Sequence, residues 1–331
     1  MADLYPLRFN PALKEKVWGS NLLIKEYGKK APEIMNAGES WEISGLPGDE
    51  SIVSNGFLEG NNINELLEVY MGDIAGDSVY EKWGDEFPVL VKFVNAAANL
   101  SIQVHPNDEM AARLHHAWGK SELWHILGAK EGSVIYCGFR EGIDKEQYQK
   151  AVLEGRLPEI LNRFEVNTGD TFWLPSGTIH AIGAGIIMAE IQQTSDITYR
   201  IFDWNRTADT GSSRELHTEL ADEALNFNHI QHKIEGINSI FNHTQILLKS
   251  EYFNVNLLMF DSSVRKDYNL LDSFVILVCT EGQSLLYWEN GTEKITKGES
   301  IMIPASIGYI SLEPVPSCTV LEIYIDNQQT K

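Results

Sequence analysis

The chain has 331 residues, of which 43% are hydrophobic and 22% are charged, and its formal net charge at pH 7 is -21. This composition is typical of a globular protein and excludes a long disordered chain. The large negative charge disfavours binding to nucleic acid or to anionic membranes. An anionic small substrate would therefore need a local cluster of basic side chains.

The cysteines and the N-terminal segment further narrow the class of protein. Cys137, Cys279 and Cys318 are few and widely spaced, which predicts neither a disulfide framework nor a cysteine-type zinc site. The N-terminal residues lack the basic segment and apolar stretch of a secretory signal. No apolar run approaches the roughly 20 residues that a membrane-spanning helix needs. We therefore expect a soluble cytoplasmic protein with no membrane partner.

Short strands separated by Gly, Pro, Asn and Asp dominate the chain, which favours an all-β sandwich or barrel. Helices are fewer, and two of them fall in a small insert at about residues 140–165. The predicted strands span residues 39–43, 88–93, 99–105, 121–127, 133–138, 171–174, 186–192, 252–260, 274–280, 284–287, 300–303 and 318–325, and the predicted helices span residues 64–71, 78–83, 109–117 (capped by Asp108), 145–154, 158–162 and 215–225.

Two of these segments form an internal sequence repeat, which we call the echo. Two segments share the order glycine, five residues, proline, four residues and then a polar ring. The first copy starts at Gly169 and ends at His180, and the second starts at Gly298 and ends at Tyr309. Such a repeat predicts a duplicated β module. Because the second copy ends in tyrosine, only the first is expected to bind a metal, and the polar region 231–245 is the expected junction.

Half of a candidate metal site lies on one predicted strand. In residues 100–105, apolar side chains alternate with Ser101, Gln103 and His105. Side chains two apart point to the same face of a strand. One face therefore packs on a core, while Gln103 and His105 present an amide oxygen and an imidazole side by side.

The other half follows downstream. Glu122 is a lone carboxylate in an apolar strand, where it is costly unless it is paired or coordinated. His180 ends the first copy of the echo. Together with Gln103 and His105 these residues offer nitrogen and oxygen ligands without a thiolate, a set that suits a divalent ion such as zinc. One carboxylate leaves a net positive charge at the ion, which suits binding of sugar or carbonyl oxygens.

These motifs resemble those of the type I mannose-6-phosphate isomerase family, in its short bacterial form, within the cupin superfamily. The resemblance covers most of residues 5–230 and, more loosely, the remainder of the chain. The matching segments are NPALKEKVWG (10–19), ESWEIS (39–44), SIQVHPND (101–108), GKSELW (119–124), LPSGTIHA (174–181) and SDITYRIFD (195–203).

The resemblance implies two cupin-type jelly-roll β-barrel modules with a small helical insert. We expect a catalytic, metal-binding module over residues 1–237 and a degenerate cupin module without metal over residues 238–331. One Zn²⁺ is expected to be held by Gln103, His105, Glu122 and His180. Family members with a longer insertion carry Lys-Pro-Glu where this chain has Lys-Ser-Glu, so details of a substrate lid do not transfer.

The resemblance also implies interconversion of mannose 6-phosphate and fructose 6-phosphate, as a step in sugar metabolism or towards GDP-mannose. It points to Arg200 as a catalytic residue, with Lys120, Glu190 and Asp196 nearby. Glu190 is our candidate for the base that moves the proton, because apolar surroundings raise the pKa of a carboxylate. Lys120 and a zinc-bound water compete for that role.

For the substrate phosphate we expect Ser101 and Arg206, with Arg200 or Lys120 assisting. Ordinary salt bridges to Asp203 or Asp196 are the alternative roles of the arginines. We expect a small-molecule phosphosugar substrate and a monomer or weak homodimer.

Two other function classes stay open from the sequence. The first is a different metallo-cupin, such as a cupin-type phosphoglucose isomerase or a dioxygenase, although oxygenase chemistry prefers iron and a more open site. The second is a non-catalytic sugar-binding or storage cupin, which would not need Lys120, Glu190 and Arg200 around a metal.

Overall fold

A computed structural model describes residues 3–30, 33–206, 214–237 and 240–326, and β-strands predominate in it. The all-β prediction is confirmed in part, because the described residues are mostly β but include short helices. The strands are β1 (Ala12–Ser20), β2 (Ala37–Ile43), β3 (Val89–Ala96), β4 (Ile102–Val104), β5 (Glu122–Ala129), β6 (Val134–Phe139), β7 (Leu161–Glu165), β8 (Thr171–Leu174), β9 (His180–Ile182), β10 (Ile186–Gln193), β11 (Tyr199–Phe202), β12 (His243–Lys249), β13 (Asn254–Phe260), β14 (Val264–Asp267), β15 (Val275–Trp288), β16 (Gly291–Thr296), β17 (Ser300–Ile303) and β18 (Tyr309–Tyr324).

The helices are short and lie between strands. None of the described helices has the length and apolar character that a membrane span requires. They are α1 (Leu22–Glu26), α2 (Ile63–Tyr70), α3 (Gly72–Ala75), α4 (Asp77–Trp83), α5 (Asp108–His115), α6 (Lys145–Leu153) and α7 (Thr218–Ala224), with 3-10 turns at Gly56–Leu58 and Leu157–Ile160.

Three antiparallel sheets make up the molecule. A six-stranded sheet has the order β1-β2-β3-β10-β5-β8, and a five-stranded sheet has the order β11-β4-β9-β6-β7. The third sheet has the order β12-β13-β18-β15-β16, with β14 paired to β18 and β17 paired to β15. Each order has two free ends, so none of the sheets closes into a hydrogen-bonded barrel within the described residues.

The first two sheets position the candidate site. Gln103 on β4 lies directly opposite His180 on β9 and Arg200 on β11, within the five-stranded sheet. Glu122 lies at the start of β5 in the six-stranded sheet, opposite Gln192 on β10. Directly opposed residues of antiparallel strands share a face. The site therefore draws its side chains from both sheets.

The largest apolar core joins the two halves of the chain. It contains Leu7, Phe93 and Ile191 from the first half and Phe253 and Ile323 from the second, all fully buried. A separate core fills the C-terminal sheet, and two smaller cores lie in the N-terminal half. The C-terminal sheet therefore shares buried surface with the sheet that carries Glu122.

Polar contacts also cross between the halves. Asp272, in the loop before β15, accepts the backbone N–H groups of Asp77 and Ser78 at 2.7 and 2.8 Å and so caps the N-terminus of α4. The buried Lys29 donates to Glu42 at 2.7 Å and also to the backbone oxygen of Gly298. Helix capping by a carboxylate satisfies N–H groups that the helix itself leaves unpaired.

The echo corresponds to matching elements. In both copies a strand ends one residue before the proline, β8 at Leu174 and β17 at Ile303. In both copies the next strand begins at the ring residue, β9 at His180 and β18 at Tyr309. The leading glycines both have positive φ, 92° and 85°, a conformation that favours glycine.

Some predicted boundaries were wrong for local reasons. Asn107 rather than Asp108 caps α5, because its side chain accepts the N–H of Met110 at 2.9 Å. Asp108 instead accepts the N–H of Gly119 at 2.8 Å. The predicted strands 274–280 and 284–287 form one strand, β15, which continues through Gly282 at a register shift with φ of 73°.

Candidate metal centre and active site

His105, Glu122 and His180 converge on one point, as the sequence predicts. One ligand atom from each lies within 4.8 Å of the others, and all three residues are buried. His105 directly follows β4, while Glu122 and His180 are the first residues of β5 and β9. The end of β4 and the starts of β5 and β9 therefore meet at this point, and these strands belong to two different sheets.

Both histidines are held so that the same ring nitrogen faces the centre. His105 Nδ1 donates to the backbone oxygen of Ile197, and His180 Nδ1 donates to that of Thr178, each at 2.8 Å. The Nε2 lone pairs are then left for a cation, which is the usual orientation of metal-bound imidazole. Burial, followed by the nearby His105, lowers the pKa of His180 to about 3, so the neutral ligand form is favoured.

Glu122 supplies a buried carboxylate with one oxygen free to coordinate. Its Oε2 accepts the indole N–H of Trp124 at 3.0 Å. Its Oε1 receives no hydrogen bond of good geometry, although Lys120 Nζ lies 2.8 Å away and His105 Nε2 lies 3.2 Å away. Burial acts to raise the pKa of Glu122, but Lys120 and the two histidines outweigh it and hold that pKa well below its ordinary value. A carboxylate oxygen close to His105 Nε2, with no well-aligned hydrogen bond from the described residues, fits a divalent cation.

Gln103 lies beside these three residues. Its amide nitrogen is 3.3 Å from His180 Nε2, and its amide oxygen accepts the hydroxyl of Ser101 at 3.3 Å. Amide nitrogen and oxygen are close to isosteric, so a half-turn of the amide presents the oxygen to the same point. The four side chains thus provide a nitrogen and oxygen donor set that suits zinc and related ions.

A cavity of about 240 Å³ opens next to this centre. Six of the ten predicted site residues line it, whereas His105, Glu122, His180 and Arg206 do not. The residues that line it are Lys16, Trp18, Glu39, Trp41, Lys92, Val94, Leu100, Ser101, Gln103, Lys120, Trp124, Ile182, Glu190, Asp196, Thr198, Arg200 and Arg214.

A cross-strand row forms one wall of the cavity. Trp41, Lys92, Glu190 and Trp124 lie opposite one another on β2, β3, β10 and β5. Lys92 Nζ is 3.1 Å from Glu190 Oε1, and it lies 5.0 Å from the centroid of the Trp41 ring. Burial, followed by the charge of Glu122, raises the pKa of Glu190 above its ordinary value.

A second carboxylate in the same cavity, that of Glu39, has its pKa shifted in the opposite direction. Glu39 accepts the indole N–H of Trp41 at 2.7 Å. Burial acts to raise its pKa, but Lys92 and Lys16 outweigh the burial and lower it. Two carboxylates whose pKa values are pushed apart are suited to different roles, and Glu190 is the better base of the two.

Arginines gather at the other side of the cavity. Asp203 accepts hydrogen bonds from Arg206 and Arg214, of which the Arg214 Nε contact measures 2.8 Å. Arg200 donates to the backbone oxygen of Glu215 at 2.9 Å, and its buried Nε has no hydrogen-bond partner among the described residues. Burial and the neighbouring Arg214 lower the pKa of Arg200. Three guanidinium groups around one carboxylate make a local positive region in an acidic chain.

Sequence reasoning missed Lys92, Glu39 and Arg214 as site residues. Lys92 had a detectable signal, because it is the one charged residue of β3, whose eight residues are all buried. Glu39 lies in the matching segment 39–44 but received no role. Arg214 carried no comparable signal in the sequence.

The comparisons with known proteins agree with this geometry. The model of the type I phosphomannose isomerase catalytic domain matches residues 7–122, and the model of the mannose-6-phosphate isomerase cupin domain matches residues 243–324. Mannose-6-phosphate isomerase ManA of Bacillus subtilis is 32% identical over 324 residues, which is 95% of this chain and 98% of ManA. The chain belongs to the type I mannose-6-phosphate isomerase family.

Other members and solved structures extend the match. The mannose-6-phosphate isomerase of Streptococcus mutans is 32% identical and covers 91% of this chain and 93% of its own length. The crystal structure of the Bacillus subtilis mannose 6-phosphate isomerase superposes with a TM-score of 0.83 at 30% identity, covering 97% of this chain and all of that one. A putative mannosephosphate isomerase from Archaeoglobus fulgidus, at 23% identity and a TM-score of 0.78, supports the fold.

Family membership makes the protein an enzyme. It argues against the oxygenase and storage-cupin alternatives. The catalytic-domain match includes Gln103, His105 and Glu122, whereas His180 and Arg200 lie outside both matched ranges. Their assignment to the site is therefore supported by their positions opposite Gln103 in the five-stranded sheet and not by the family models.

Replacing His180 by Asn should weaken metal binding, because it removes one of two Nε2 donors from the centre. We expect a loss of at least the roughly 10- to 100-fold that follows loss of an outer partner of a metal ligand. His125→Asn is the matched control, since His125 is also buried but bonds Thr171 at 2.8 Å outside the centre. Elemental analysis after dialysis measures the bound metal, and equal metal content in both variants would contradict the assignment.

Proposed function

We propose that the protein interconverts mannose 6-phosphate and fructose 6-phosphate as an aldose-ketose isomerase with one Zn²⁺ per chain. The observation that carries this proposal is the buried cluster of His105, Glu122 and His180, which lies behind a cavity lined by Gln103, Lys120, Glu190 and further basic groups. Family membership supplies the substrate class.

Gln103, His105, Glu122 and His180 would hold the ion. When bound, Zn²⁺ supplies Lewis-acid stabilisation of negative charge on the sugar oxygens. Lys120 contacts Glu122 and lines the cavity, so its ammonium group reaches both the carboxylate ligand and a bound sugar. We assign Lys120 to donating a hydrogen bond to a sugar oxygen that gains negative charge.

Isomerisation moves one proton between C2 and C1 of the open-chain sugar through an enediol or enediolate. Glu190 is the proposed base. It lies on a wall of the cavity, and its raised pKa brings it closer to the working pH, which favours proton transfer in both directions. Its partner Lys92 fixes the carboxylate at 3.1 Å while leaving Glu190 Oε2 for the substrate.

Asp196 and Arg200 are proposed to orient the sugar. Both line the cavity, and the Nε of Arg200 is buried without a partner. A guanidinium group offers forked donors to an oxyanion, whereas a carboxylate accepts from sugar hydroxyls. Arg200 is thus suited to a developing negative charge and Asp196 to a hydroxyl group.

The phosphate is proposed to bind at the arginine side of the cavity, with Ser101 at its rim. Arg214 lines the cavity, whereas Arg206 bonds Asp203 and the backbone oxygen of Asn99 and does not line it. The geometry therefore favours Arg214 over Arg206 for direct contact, with Arg206 helping to hold Asp203. Local positive charge is needed because the whole chain carries -21.

We also propose the division into two jelly-roll cupin modules, residues 1–237 with the insert at about 140–165 and residues 238–331 without metal. The matching strand boundaries at the two copies of the echo support this division. Cytoplasmic localisation, a monomer or weak homodimer and a place near GDP-mannose synthesis stay predictions.

The purified protein should form ketose from mannose 6-phosphate and not from glucose 6-phosphate, and a chelator should abolish the activity. Ketose is followed in separate incubations with each sugar, with and without chelator and with zinc added back. Equal rates on the two sugars would favour a cupin-type phosphoglucose isomerase. Activity that survives complete removal of metal would refute the metal-assisted reaction.

Glu190→Gln should lower kcat by about 10²- to 10⁴-fold, the usual contribution of a general base, with bound metal retained. Glu39→Gln is the matched control, since Glu39 occupies the same cavity but has a lowered pKa. Steady-state kinetics and elemental analysis of both variants provide the measurement. Near-normal turnover in a metal-loaded Glu190→Gln enzyme would remove the assignment.

Arg214→Ala should raise KM for mannose 6-phosphate roughly 10- to 100-fold, because a charge-assisted hydrogen bond is lost. Arg206→Ala should raise KM less, since Arg206 acts through Asp203. Metal content should stay constant in both variants. A larger KM effect for Arg206→Ala would return the direct phosphate contact to Arg206.

A further inference from the structure

A second, larger cavity lies away from the metal centre, on the C-terminal sheet. Its volume is about 1110 Å³, and none of its lining residues lines the 240 Å³ cavity. One side is formed by β14, the end of β15 and the start of β18, and the opposite side includes Tyr70 and Asp73. We call this cavity the C-terminal cleft.

The floor of the C-terminal cleft is an ordered face of the sheet. Ser311 on β18 lies directly opposite Arg265 on β14 and Tyr287 on β15. In the neighbouring row on β18, Tyr309 lies opposite Asp267. Since opposed residues and residues two apart share a face, these five side chains form one surface of aromatic, basic, acidic and hydroxyl groups.

The aromatic groups of this face are available to a ligand. Tyr309 is 63% exposed, although it opens the strand that continues into the C-terminal core. Trp288 also lines the cleft, and its buried indole N–H has no hydrogen-bond partner among the described residues. Tyrosine and tryptophan combine an apolar ring face with a polar group, which suits ligands that have both kinds of surface.

The charges of the cleft select against anions. Four acidic and two basic side chains line it. One of the basic groups, Lys266, is committed to Glu322 at 2.9 Å. Arg265 remains as a donor for hydroxyl groups, and Asp267, whose Oδ1 already accepts from Asn269, keeps further lone pairs as an acceptor. In a chain of charge -21, a phosphosugar has no net attraction to this cleft.

We propose that the C-terminal cleft binds a neutral saccharide of several hexose units, separately from the catalytic reaction. The apolar C–H faces of pyranose rings would stack on Tyr309 and Tyr287, and hydroxyl groups would pair with Arg265, Asp267 and the indole N–H of Trp288. The volume exceeds what a single small ligand fills, which fits a chain of sugars rather than one.

Saturation-transfer NMR and calorimetry of the full chain test this site, with β-1,4-mannotriose and cellotriose as neutral probes. At least one trisaccharide should bind, and Tyr309→Ala should weaken that binding about 5- to 10-fold, the factor expected for one aromatic contact. Trp288→Phe, which keeps a ring and removes the N–H, should also weaken it. Isomerase activity should be unchanged in Tyr309→Ala.

Two controls separate this site from the catalytic cavity. Phe241→Ala removes another exposed aromatic ring, outside the lining of the cleft, and should leave binding unchanged. Arg200→Ala alters the catalytic cavity and should also leave trisaccharide binding unchanged. The proposal is overturned if neither trisaccharide binds at millimolar concentration, if Tyr309→Ala binds as the native chain does, or if Arg200→Ala abolishes binding.

Discussion

The contact of Glu122 with Lys120, at 2.8 Å and out of reach of solvent, is the interaction on which the rest of the site depends. Removing one partner of a buried ion pair typically costs about 3–5 kcal/mol, because the other charge is left uncompensated. Oε1 of Glu122, the oxygen nearest Lys120, receives no hydrogen bond of good geometry from the described residues. Together with the two imidazole Nε2 atoms and the Gln103 amide, it provides a set of ligand atoms for a cation. Negative charge buried in this way attracts a cation to the junction of two sheets.

Charge is arranged around that junction so that each acidic group has a different environment. The pKa of the buried Glu122 is lowered, that of the buried Glu190 is raised, and that of the partly buried Glu39 is lowered. Lys92 lies between the last two and contacts Glu190 directly. Arg200, opposite Gln103 in the other sheet, and Arg214 line the same cavity. An acidic chain can thus present negative charge where a proton moves and positive charge where a phosphate binds.

Short-range patterns in the amino-acid sequence made much of this site predictable. Alternation along one strand gave Gln103 and His105, an acid in an apolar strand gave Glu122, and the glycine-proline spacing gave His180. Arg214 was not predictable, because its place depends on how the chain returns to Asp203 after β11. Boundaries failed where a neighbouring side chain competes, as Asn107 does with Asp108 for the start of α5. They also failed where Gly282 lets one strand continue through a register shift.

The apolar core shared by the two halves joins the C-terminal sheet to the sheet that carries Glu122. Leu7 and Phe93 bury their side chains together with Phe253 and Ile323, and Lys29 ties Glu42 to the backbone of Gly298. A chain cut at the junction would leave both apolar surfaces in water, and the fragments would aggregate rather than work alone. The second half thus supports the first through shared buried surface. Its outer face is then available to acquire a different use without disturbing catalysis.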